Sequence, residues 1–172
     1  MLTSVLVAYA TRYGSTKEVA DAVGATLRES GLEVEVRSAA DVQSLDGYDA
    51  VVLGAAFYMY RWHRAARRFL SRHRKALTGR PLAIFALGPT EEPEDEEAWE
   101  ESRAQLDKVL TKFSWLEPVD AVMFGGKFDP ATLPFPINRF AGNEPASDIR
   151  DWDGIRAWAN HLAEALGRTR RK

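Results

Sequence analysis

Three hydroxyl-bearing residues lie close together near the start of the chain, between an apolar run and a helical pattern. The segment is "YATRYGST", residues 9–16, and the hydroxyls belong to Thr11, Ser15 and Thr16. A helix N-terminus presents unpaired N–H groups and a partial positive charge, so it favours an anion. Together with the backbone amides of residues 12–16, these hydroxyls suit one phosphate monoester. The alternative is a capping box, "STKE" at residues 15–18, which would need no ligand.

Other phosphate-binding motifs are missing from this segment. A dinucleotide fingerprint needs G-x-G-x-x-G, whereas the segment contains only Gly14. A P-loop needs Gly-Lys-Ser/Thr, which is not found here. A phosphoryl-receiver domain would need carboxylates at the strand ends "AYAT" and "GAAF", and a low-molecular-weight tyrosine phosphatase would need a cysteine. These classes are excluded.

A second segment, "AFYMYRWH" at residues 56–63, carries four aromatic residues where a turn is expected: Phe57, Tyr58, Tyr60 and Trp62. Turns usually carry Gly, Pro, Asn, Asp and Ser. A planar ring bound beside these side chains would explain them, because aromatic faces stack favourably. Alternatively, Phe57 and Trp62 belong to the core and to helix packing.

The length and composition indicate one soluble globular domain, residues 1–172, and the composition fits a reducing compartment. Apolar residues make up 45% of the chain and charged residues 28%, the formal charge is -2, and cysteine is absent. Disulfides and thiolate nucleophiles are therefore excluded, and no metal site is expected from three scattered histidines. The apolar stretch at residues 5–10 is too short for a signal peptide or a membrane span. We expect a cytoplasmic protein that does not bind nucleic acid and has no stable membrane insertion.

Strand-like and helix-like segments alternate along the chain, which predicts an α/β fold with a parallel sheet. The five strands are "SVLVAYA", "LEVEVRS", "DAVVLGAA", "PLAIFALG" and "VDAVMFGG", and only the second alternates as an edge strand does. Helices are predicted at about residues 16–29, 61–77 and 94–113 and at the C-terminal end of the chain, with an irregular segment at 127–150. This pattern matches a doubly wound sheet of order 2-1-3-4-5 in a three-layer α/β/α sandwich. In that order, loops 10–16 and 55–63 meet where the strand order reverses, which is where ligands bind.

These segments together resemble the flavodoxin family, and within it the proteins related to menaquinone-dependent protoporphyrinogen dehydrogenase. The matching stretches are "YATRYGSTKEVA", "YDAVVLGAAFYMYRWHRAARRFLSRH", "PLAIFALGP" and "DWDGIRAWANHLAEAL", in the same order along the chain. The resemblance implies FMN as the cofactor and an FMN-dependent oxidoreductase or electron-transfer protein as the function. It implies phosphate contacts from Thr11, Arg12, Tyr13, Gly14, Ser15 and Thr16, ring contacts from Ala56, Phe57, Tyr58, Met59, Tyr60, Arg61 and Trp62, and further contacts from Gly88, Pro89 and Thr90.

Two departures from the family qualify that expectation. One-electron carriers of the family place a glycine beside the flavin, because a peptide flip there leads to positive φ. Residues 55–63 contain no glycine, which favours two-electron chemistry. The segment at 127–150 is shorter and richer in proline than the basic, apolar insertion of the quinone-coupled dehydrogenases. A dehydrogenase-like or quinone-linked activity and a simple carrier both stay open, as does an interaction module that has lost its cofactor because Tyr60 crowds the ring.

The charged residues form two runs of opposite sign. Residues 61–75 contain seven Arg and Lys residues, and residues 91–101 contain eight Asp and Glu residues. Because both helices are predicted on one face of the sheet, mutual neutralisation is the simpler interpretation, and a docking surface for a redox partner is the other. Arg61 differs in lying on the ring loop, where a cation would stabilise a reduced anionic flavin. The expected partner is a small-molecule or protein redox partner, and a homodimer stays open.

Overall fold

The computed structural model describes residues 3–169 of the chain. In chain order the elements are β1 Ser4–Ala10, α1 Ser15–Glu29, β2 Glu33–Ser38, β3 Ala50–Tyr58, β4 Arg61–Trp62, α2 Arg64–Arg72, α3 Arg74–Leu77, β5 Leu82–Leu87, α4 Glu96–Leu110, β6 Asp120–Phe124, β7 Lys127–Phe128, a 3-10 helix Pro130–Thr132, α5 Ile137–Ala141, β8 Ser147–Asp148 and α6 Trp152–Thr169. No helix within the described residues is both long and apolar enough to cross a membrane.

Five parallel strands form the central sheet in the order β2-β1-β3-β5-β6. When only these five strands are numbered along the chain, their order is 2-1-3-4-5. The predicted strand order is therefore confirmed. The strands β3 and β5 in its centre are almost entirely buried because helices cover both faces, whereas β2 alternates between exposed and half-buried residues as an edge strand should.

Apolar side chains form one core on each face of the sheet. On one face α1 and α6 pack over the strands through residues such as Val19, Val23 and Ile155. On the other face α2 and α4 pack through residues such as Phe69 and Leu106. The prediction that the helices following β3 and β5 share one face is therefore confirmed. Helices on both sides of a parallel sheet give the three-layer sandwich.

The predicted helix at residues 61–77 is wrong at its start. Arg61 and Trp62 instead form β4, which runs antiparallel to the end of β3. The helix begins at Arg64, and it is interrupted at His73 before α3. The apolar spacing of residues 62–77 suits a helix, but cross-strand pairing of residues 61 and 62 is the local arrangement that forms. The helix predicted at 94–113 is shorter as well, because Asp95 caps its start and it ends at Leu110.

The segment predicted as irregular, residues 127–150, contains short regular pieces. Its two ends pair as the antiparallel strands β7 and β8, with Lys127 opposite Asp148 and Phe128 opposite Ser147. Between them lie the 3-10 helix and α5. Pairing of the two ends closes this segment into a loop whose base lies beside the carboxyl end of the sheet, where Ile149 donates a backbone hydrogen bond to Gly126.

Candidate cofactor site

Three loops meet at the carboxyl ends of neighbouring strands. The last residue of β1, Ala10, pairs with Ala55 of β3, and Ala56 pairs with Leu87 at the end of β5. Because parallel strands end at the same edge of the sheet, the loops that follow β1, β3 and β5 start side by side. These loops contain all the residues predicted to contact FMN.

The first loop enters α1 through a glycine in the left-handed region. Gly14 is the N-cap residue with φ 94°, a conformation that a residue with a Cβ adopts only at a cost. Its N–H group donates to Thr11 Oγ1 at 2.9 Å, which closes the turn. The first backbone hydrogen bond of the helix runs from Glu18 N to Gly14 O. The amides of residues 15–17 therefore have no partner within the helix and face the start of the loop.

Thr16 carries one of four buried side-chain polar atoms that lack a partner among the described residues, and the one that lies at the start of α1. Its side chain is fully buried, and Oγ1 has no hydrogen-bond partner among the described residues. A buried hydroxyl without a partner costs about 1–3 kcal/mol, so this one indicates a missing ligand atom. An anion at the start of α1 would accept from this hydroxyl and from the free amides together.

The capping-box alternative for residues 15–18 is wrong. The N-cap residue is Gly14 rather than Ser15, and no side chain caps α1. Glu18 would have to turn back toward the N-cap backbone, but its carboxylate pairs with Arg150 instead. The hydroxyls of Ser15 and Thr16 therefore do not cap α1. The Thr11 hydroxyl accepts a hydrogen bond from the N-cap residue, Gly14.

Arg150 holds the first loop against the closing segment, and sequence reasoning missed it. Its side chain is 3% exposed and pairs with two acidic residues. Nε and Nη2 donate to the two carboxylate oxygens of Asp148 at 2.8 and 2.7 Å, while Nη1 donates to Glu18 and, at 3.3 Å, to Ser15 O. These hydrogen bonds hold the pKa of Asp148 below its usual value. A lone arginine in a proline-rich segment gives no sequence signal for such a contact across 135 positions.

The second loop is a two-residue hairpin turn. Phe57 pairs with Trp62 and Tyr58 with Arg61, so Met59 and Tyr60 are its central residues. Both have positive φ, 46° and 59°, as a type I′ turn requires. Such turns normally use Asn-Gly, and a bulky residue there costs about 1–2 kcal/mol. The missing glycine therefore does not prevent positive φ here. The backbone adopts it under strain.

The aromatic side chains of this hairpin divide into two groups. Tyr58 and Tyr60 are 70% and 67% exposed, and Met59 is exposed as well. Phe57 is half-buried against the core. Trp62 is 1% exposed, and its Nε1 donates to Ala55 O at 3.3 Å, so its ring is a core side chain and is not available for stacking. The core interpretation, left open for Trp62 by the sequence, is the one the structure shows.

A histidine links the hairpin to α2 and to the first loop. His63 is the N-cap residue of α2, and its Nδ1 accepts from Ala65 N at 3.1 Å. Burial, followed by the nearby charge of Arg12, lowers the pKa of His63. The contribution of Arg12 shows that the first and second loops lie close together. The neutral imidazole is the form that can accept the capping hydrogen bond.

The third loop is fastened to the strand beside it. Gly88 N donates to Phe124 O at 2.8 Å, and Gly126 N donates to Pro89 O at 2.7 Å. A Cβ on Gly126 would lie 2.9 Å from Gly88 O, so only glycine allows the two backbones to approach this closely. Thr90, at the end of this loop, is half-buried.

The predicted FMN fits these residues at its phosphate end. The unpartnered Thr16 hydroxyl, the first-turn amides of α1 and the glycine at the N-cap form an anion-binding arrangement. A small cavity of about 90 Å³ adjoins the same loop; Tyr13, Ser15 and Glu18 line it from the first loop and α1, and Lys127, Phe128 and Asp129 line it from the closing segment. At the ring end, the two tyrosines Tyr58 and Tyr60 are exposed.

The sequence and the fold are similar to those of known proteins. The flavodoxin domain model matches residues 6–136. Protoporphyrinogen IX dehydrogenase [quinone] of Escherichia coli strain K12 is 28% identical over 173 residues, covering 92% of this chain and 93% of that protein. An archaeal flavodoxin and oxidised flavodoxin 1 of Bacillus cereus are each 16% identical, with TM-scores of 0.60 and 0.61 over 96% of this chain and 99% and 98% of theirs. The chain belongs to the flavodoxin domain family.

Proposed function

We propose that this protein is an FMN-dependent oxidoreductase or electron-transfer protein. The single observation that carries the proposal is the buried Thr16 hydroxyl without a partner at the start of α1. In a flavodoxin domain FMN is the expected cofactor, and its phosphate supplies the acceptor that this hydroxyl lacks. When bound, FMN supplies the redox chemistry, and the protein binds, orients and tunes it.

The first loop would hold the phosphate. Its donors are the hydroxyls of Ser15 and Thr16 and the backbone amides of residues 12–16 other than Gly14, whose N–H donates to Thr11. Thr11 acts differently, because its oxygen already accepts from Gly14 and so fixes the turn. Arg12 is exposed, with its guanidinium over the Tyr13 ring at 5.4 Å, and it adds positive charge to the same loop.

The second and third loops would enclose the ring. Tyr58 and Tyr60 offer exposed aromatic faces, and the backbone of Ala56, Phe57 and Met59 borders them. Gly88, Pro89 and Thr90 form the opposite side. Arg61 is an exposed cation on the hairpin, and it would stabilise a reduced anionic ring and raise its potential. Trp62 does not contact the ring; its buried side chain fixes the position of the hairpin.

Two-electron chemistry is the proposed mode of reaction. The turn residues Met59 and Tyr60 already occupy positive φ, where a further peptide rearrangement has no glycine to lower its cost. A one-electron reduced form would therefore gain little from the backbone. Transfer of two electrons to a quinone and oxidation of a porphyrinogen are both compatible with this mode of reaction. A relative that is 28% identical is named for both substrates.

A second candidate is an interaction module that has lost its cofactor. It requires that the ring position be filled by Tyr60. The exposure of Tyr58 and Tyr60 disfavours this alternative, because neither ring is packed into the protein. The unpartnered Thr16 hydroxyl of the first loop and the exposure of Tyr60 together favour the flavoprotein.

Absorbance of the purified protein tests the proposal. We expect a yellow protein, or a colourless one that becomes yellow after incubation with FMN and gel filtration, with an absorbance maximum near 450 nm. Stopped-flow mixing of the reduced protein with a quinone, and of the oxidised protein with a porphyrinogen or reduced nicotinamide, then separates an enzyme from a carrier. A protein that stays colourless and takes up no FMN would support the interaction module.

A further inference from the structure

An open groove runs between α2 and α4, beside the hairpin of the candidate cofactor site. Its volume is about 1020 Å³. Six cationic residues line it: Arg61, Arg64, Arg67, Arg68, Arg72 and Lys112. The floor is apolar and includes Trp62, Val109 and Phe113. No acidic residue is among the described residues that line this basic groove.

The cations of the basic groove are not neutralised within the molecule. No salt bridge among residues 3–169 joins the basic run 61–75 to the acidic run 91–101. Glu96 pairs within its own helix, with Arg103. Arg72 donates to the neutral side chain of Gln43. No direct pair among the described residues therefore supports the interpretation that the two runs neutralise each other.

Helix geometry explains why the two runs stay apart. The acidic residues lie at the N-terminal end of α4, whereas the groove contacts its C-terminal end, at Val109 and beyond. Val109 lies about 20 Å along the helix from Glu96 and about 12 Å from Glu101, which is between about 1.5 and 2.5 Debye lengths at physiological salt. A protein with net charge -2 thus carries a strongly positive surface next to its proposed redox site.

The shape and charge of the groove favour an acidic protein as its occupant. The cations extend from Arg64 to Arg72, about 12 Å along α2, so a single small anion would contact only one or two of them. A nucleic acid is negative along its whole length, and the eight exposed acids at residues 91–101 would repel it on the same face. An acidic protein surface can avoid that clash by presenting basic or neutral residues there.

The position of the groove favours a redox protein in particular. Its wall includes Tyr60 and Arg61, which belong to the proposed ring loop. A protein seated in the groove would therefore lie against the hairpin that borders FMN. Exposed charge pairs are individually weak, and they accelerate encounter more than they slow release, as a transient electron-transfer complex requires.

We propose that the basic groove between α2 and α4 is the docking surface for an acidic redox protein that exchanges electrons with FMN through the hairpin edge. This inference rests on the proposed function. In the oxidative direction, fully reduced FMN loses two electrons in succession, and when the acceptor is a single-haem protein each electron reduces one haem iron from iron(III) to iron(II). Two acceptor molecules therefore reoxidise one fully reduced FMN, whose protons pass to solvent.

The test compares two haem proteins of opposite charge, cytochrome b5, which is acidic, and cytochrome c, which is basic. Binding to the purified FMN-loaded protein is measured by titration calorimetry at 20, 100 and 300 mM salt. A groove variant carries Arg64→Gln, Arg67→Gln and Arg68→Gln, none of which lies in the cofactor site. A control variant carries Arg37→Gln, Arg139→Gln and Arg156→Gln, three exposed arginines outside the groove with the same total change in charge.

We expect cytochrome b5 to bind at low salt, with an affinity that falls steeply as salt increases. The groove variant should lose about 30-fold in affinity at 20 mM salt, about 0.5 log units for each arginine removed, while the control variant stays within 2-fold. Equal affinity of the groove and control variants, or tighter binding of cytochrome c than of cytochrome b5, would overturn the proposal. Circular dichroism and melting curves check that both variants fold.

Two further outcomes would assign the groove to another occupant and also overturn the proposal. One is self-association, seen by sedimentation equilibrium at 20 mM salt, that disappears in the groove variant. The other is single-stranded DNA binding that is tighter than cytochrome b5 binding and is lost in the groove variant. Because binding does not require flavin, cytochrome b5 binding to a protein that takes up no FMN would support the docking surface and contradict the proposed function.

The rate of reoxidation by ferricyanide tests the sign of the charge on the surface beside FMN. The overall charge of -2 predicts that a trivalent anion reacts faster as salt increases, because screening weakens repulsion. A positive groove beside FMN predicts the reverse, a rate that falls with salt and is lower in the groove variant than in the control variant. A rate that rises with salt in all three proteins would contradict the groove as the route of approach.

Discussion

The first and second loops of the candidate site are built in opposite ways. The first loop is held by the start of α1, by Gly14 and by the Arg150 ion pairs, and its important hydroxyl is fully buried. The second loop ends in a strained turn whose side chains are exposed. A preorganised, buried donor set gives affinity, whereas an exposed and strained turn can respond to what binds beside it. We therefore assign cofactor retention to the first loop and redox tuning and partner contact to the second.

The largest effect is expected from Thr16→Val, which removes the hydroxyl and keeps the shape. FMN affinity should fall about 10- to 100-fold, because a hydrogen bond to a charged group contributes about 1.5–3 kcal/mol. The cofactor-free protein should become more stable by about 1 kcal/mol, since a buried hydroxyl without a partner is removed. Fluorescence titration with FMN and urea unfolding measure the two effects.

A threonine of the same helix supplies the control. Thr26 Oγ1 donates to Ala22 O at 3.0 Å, so its hydroxyl already has a partner. Thr26→Val should leave FMN affinity unchanged and should not stabilise the protein. If Thr16→Val and Thr26→Val behave alike in both measurements, the assignment of the phosphate to the first loop is wrong.

The next effect concerns the Arg150 clamp, that is, the hydrogen bonds by which Arg150 holds the first loop. Arg150→Met removes the hydrogen bonds to Glu18, Asp148 and Ser15 while keeping an apolar stem. We expect the free energy of unfolding to fall by about 2 kcal/mol, less than for a fully buried pair because both carboxylates stay partly exposed. FMN affinity should fall as well, because the loop loses its support.

The pH dependence separates this clamp from simple packing. Because the pKa of Asp148 is lowered in the folded protein, its contribution is present above the unfolded value of 3.8 and is lost as pH falls below it. Arg150→Met should remove that contribution, so wild type and variant should approach each other in stability as pH falls below 4. An unchanged gap between them down to pH 3 would contradict an electrostatic clamp.

The strained turn of the second loop predicts a gain in stability. Replacing Met59 and Tyr60 by Asn-Gly supplies the residues that a type I′ turn prefers, so unfolding should require about 1–2 kcal/mol more. With glycine at position 60, a one-electron reduced form should also accumulate during redox titration, whereas wild type should take up two electrons together. Replacement of Met59 and Tyr60 by Ala-Ala, which keeps the strain, should do neither.

The smallest effect is expected from His63. Its pKa is lowered by burial and by Arg12, so the unfolded chain binds the proton more readily than the folded protein. Stability is then complete above the unfolded value of 6.5 and declines as pH falls below it. His63→Asn keeps a cap for α2 and should reduce this decline between pH 7 and 5. His73, whose pKa is also lowered by burial, accounts for a residual slope.

The sheet could be predicted from the sequence because each strand carries its own signal. The continuous apolar runs of β3 and β5 and the alternation of β2 fix which strands are central and which lies at the edge. The segment 9–16 likewise indicated an anion site from its hydroxyls and its place before a helix. Both inferences depend on residues that are neighbours in the chain.

The remaining features depend on context that no local pattern contains. Met-Tyr is an unfavourable pair for a type I′ turn, so the hairpin form of residues 57–62 contradicts its own turn propensity. The burial of Trp62 follows from that hairpin, which turns its ring into the core. Arg150 reaches Ser15 across 135 positions, and the acidic run lies at the start of α4 whereas the basic groove contacts that helix near its end.

The central claim is that the start of α1 binds the phosphate of FMN, and one comparison tests it directly. Isothermal titration of the cofactor-free protein with FMN and with riboflavin measures what the phosphate adds. We predict that FMN binds at least about 100-fold more tightly than riboflavin, and that Thr16→Val reduces this ratio. Equal affinities for the two flavins, or no binding of either, would contradict the account.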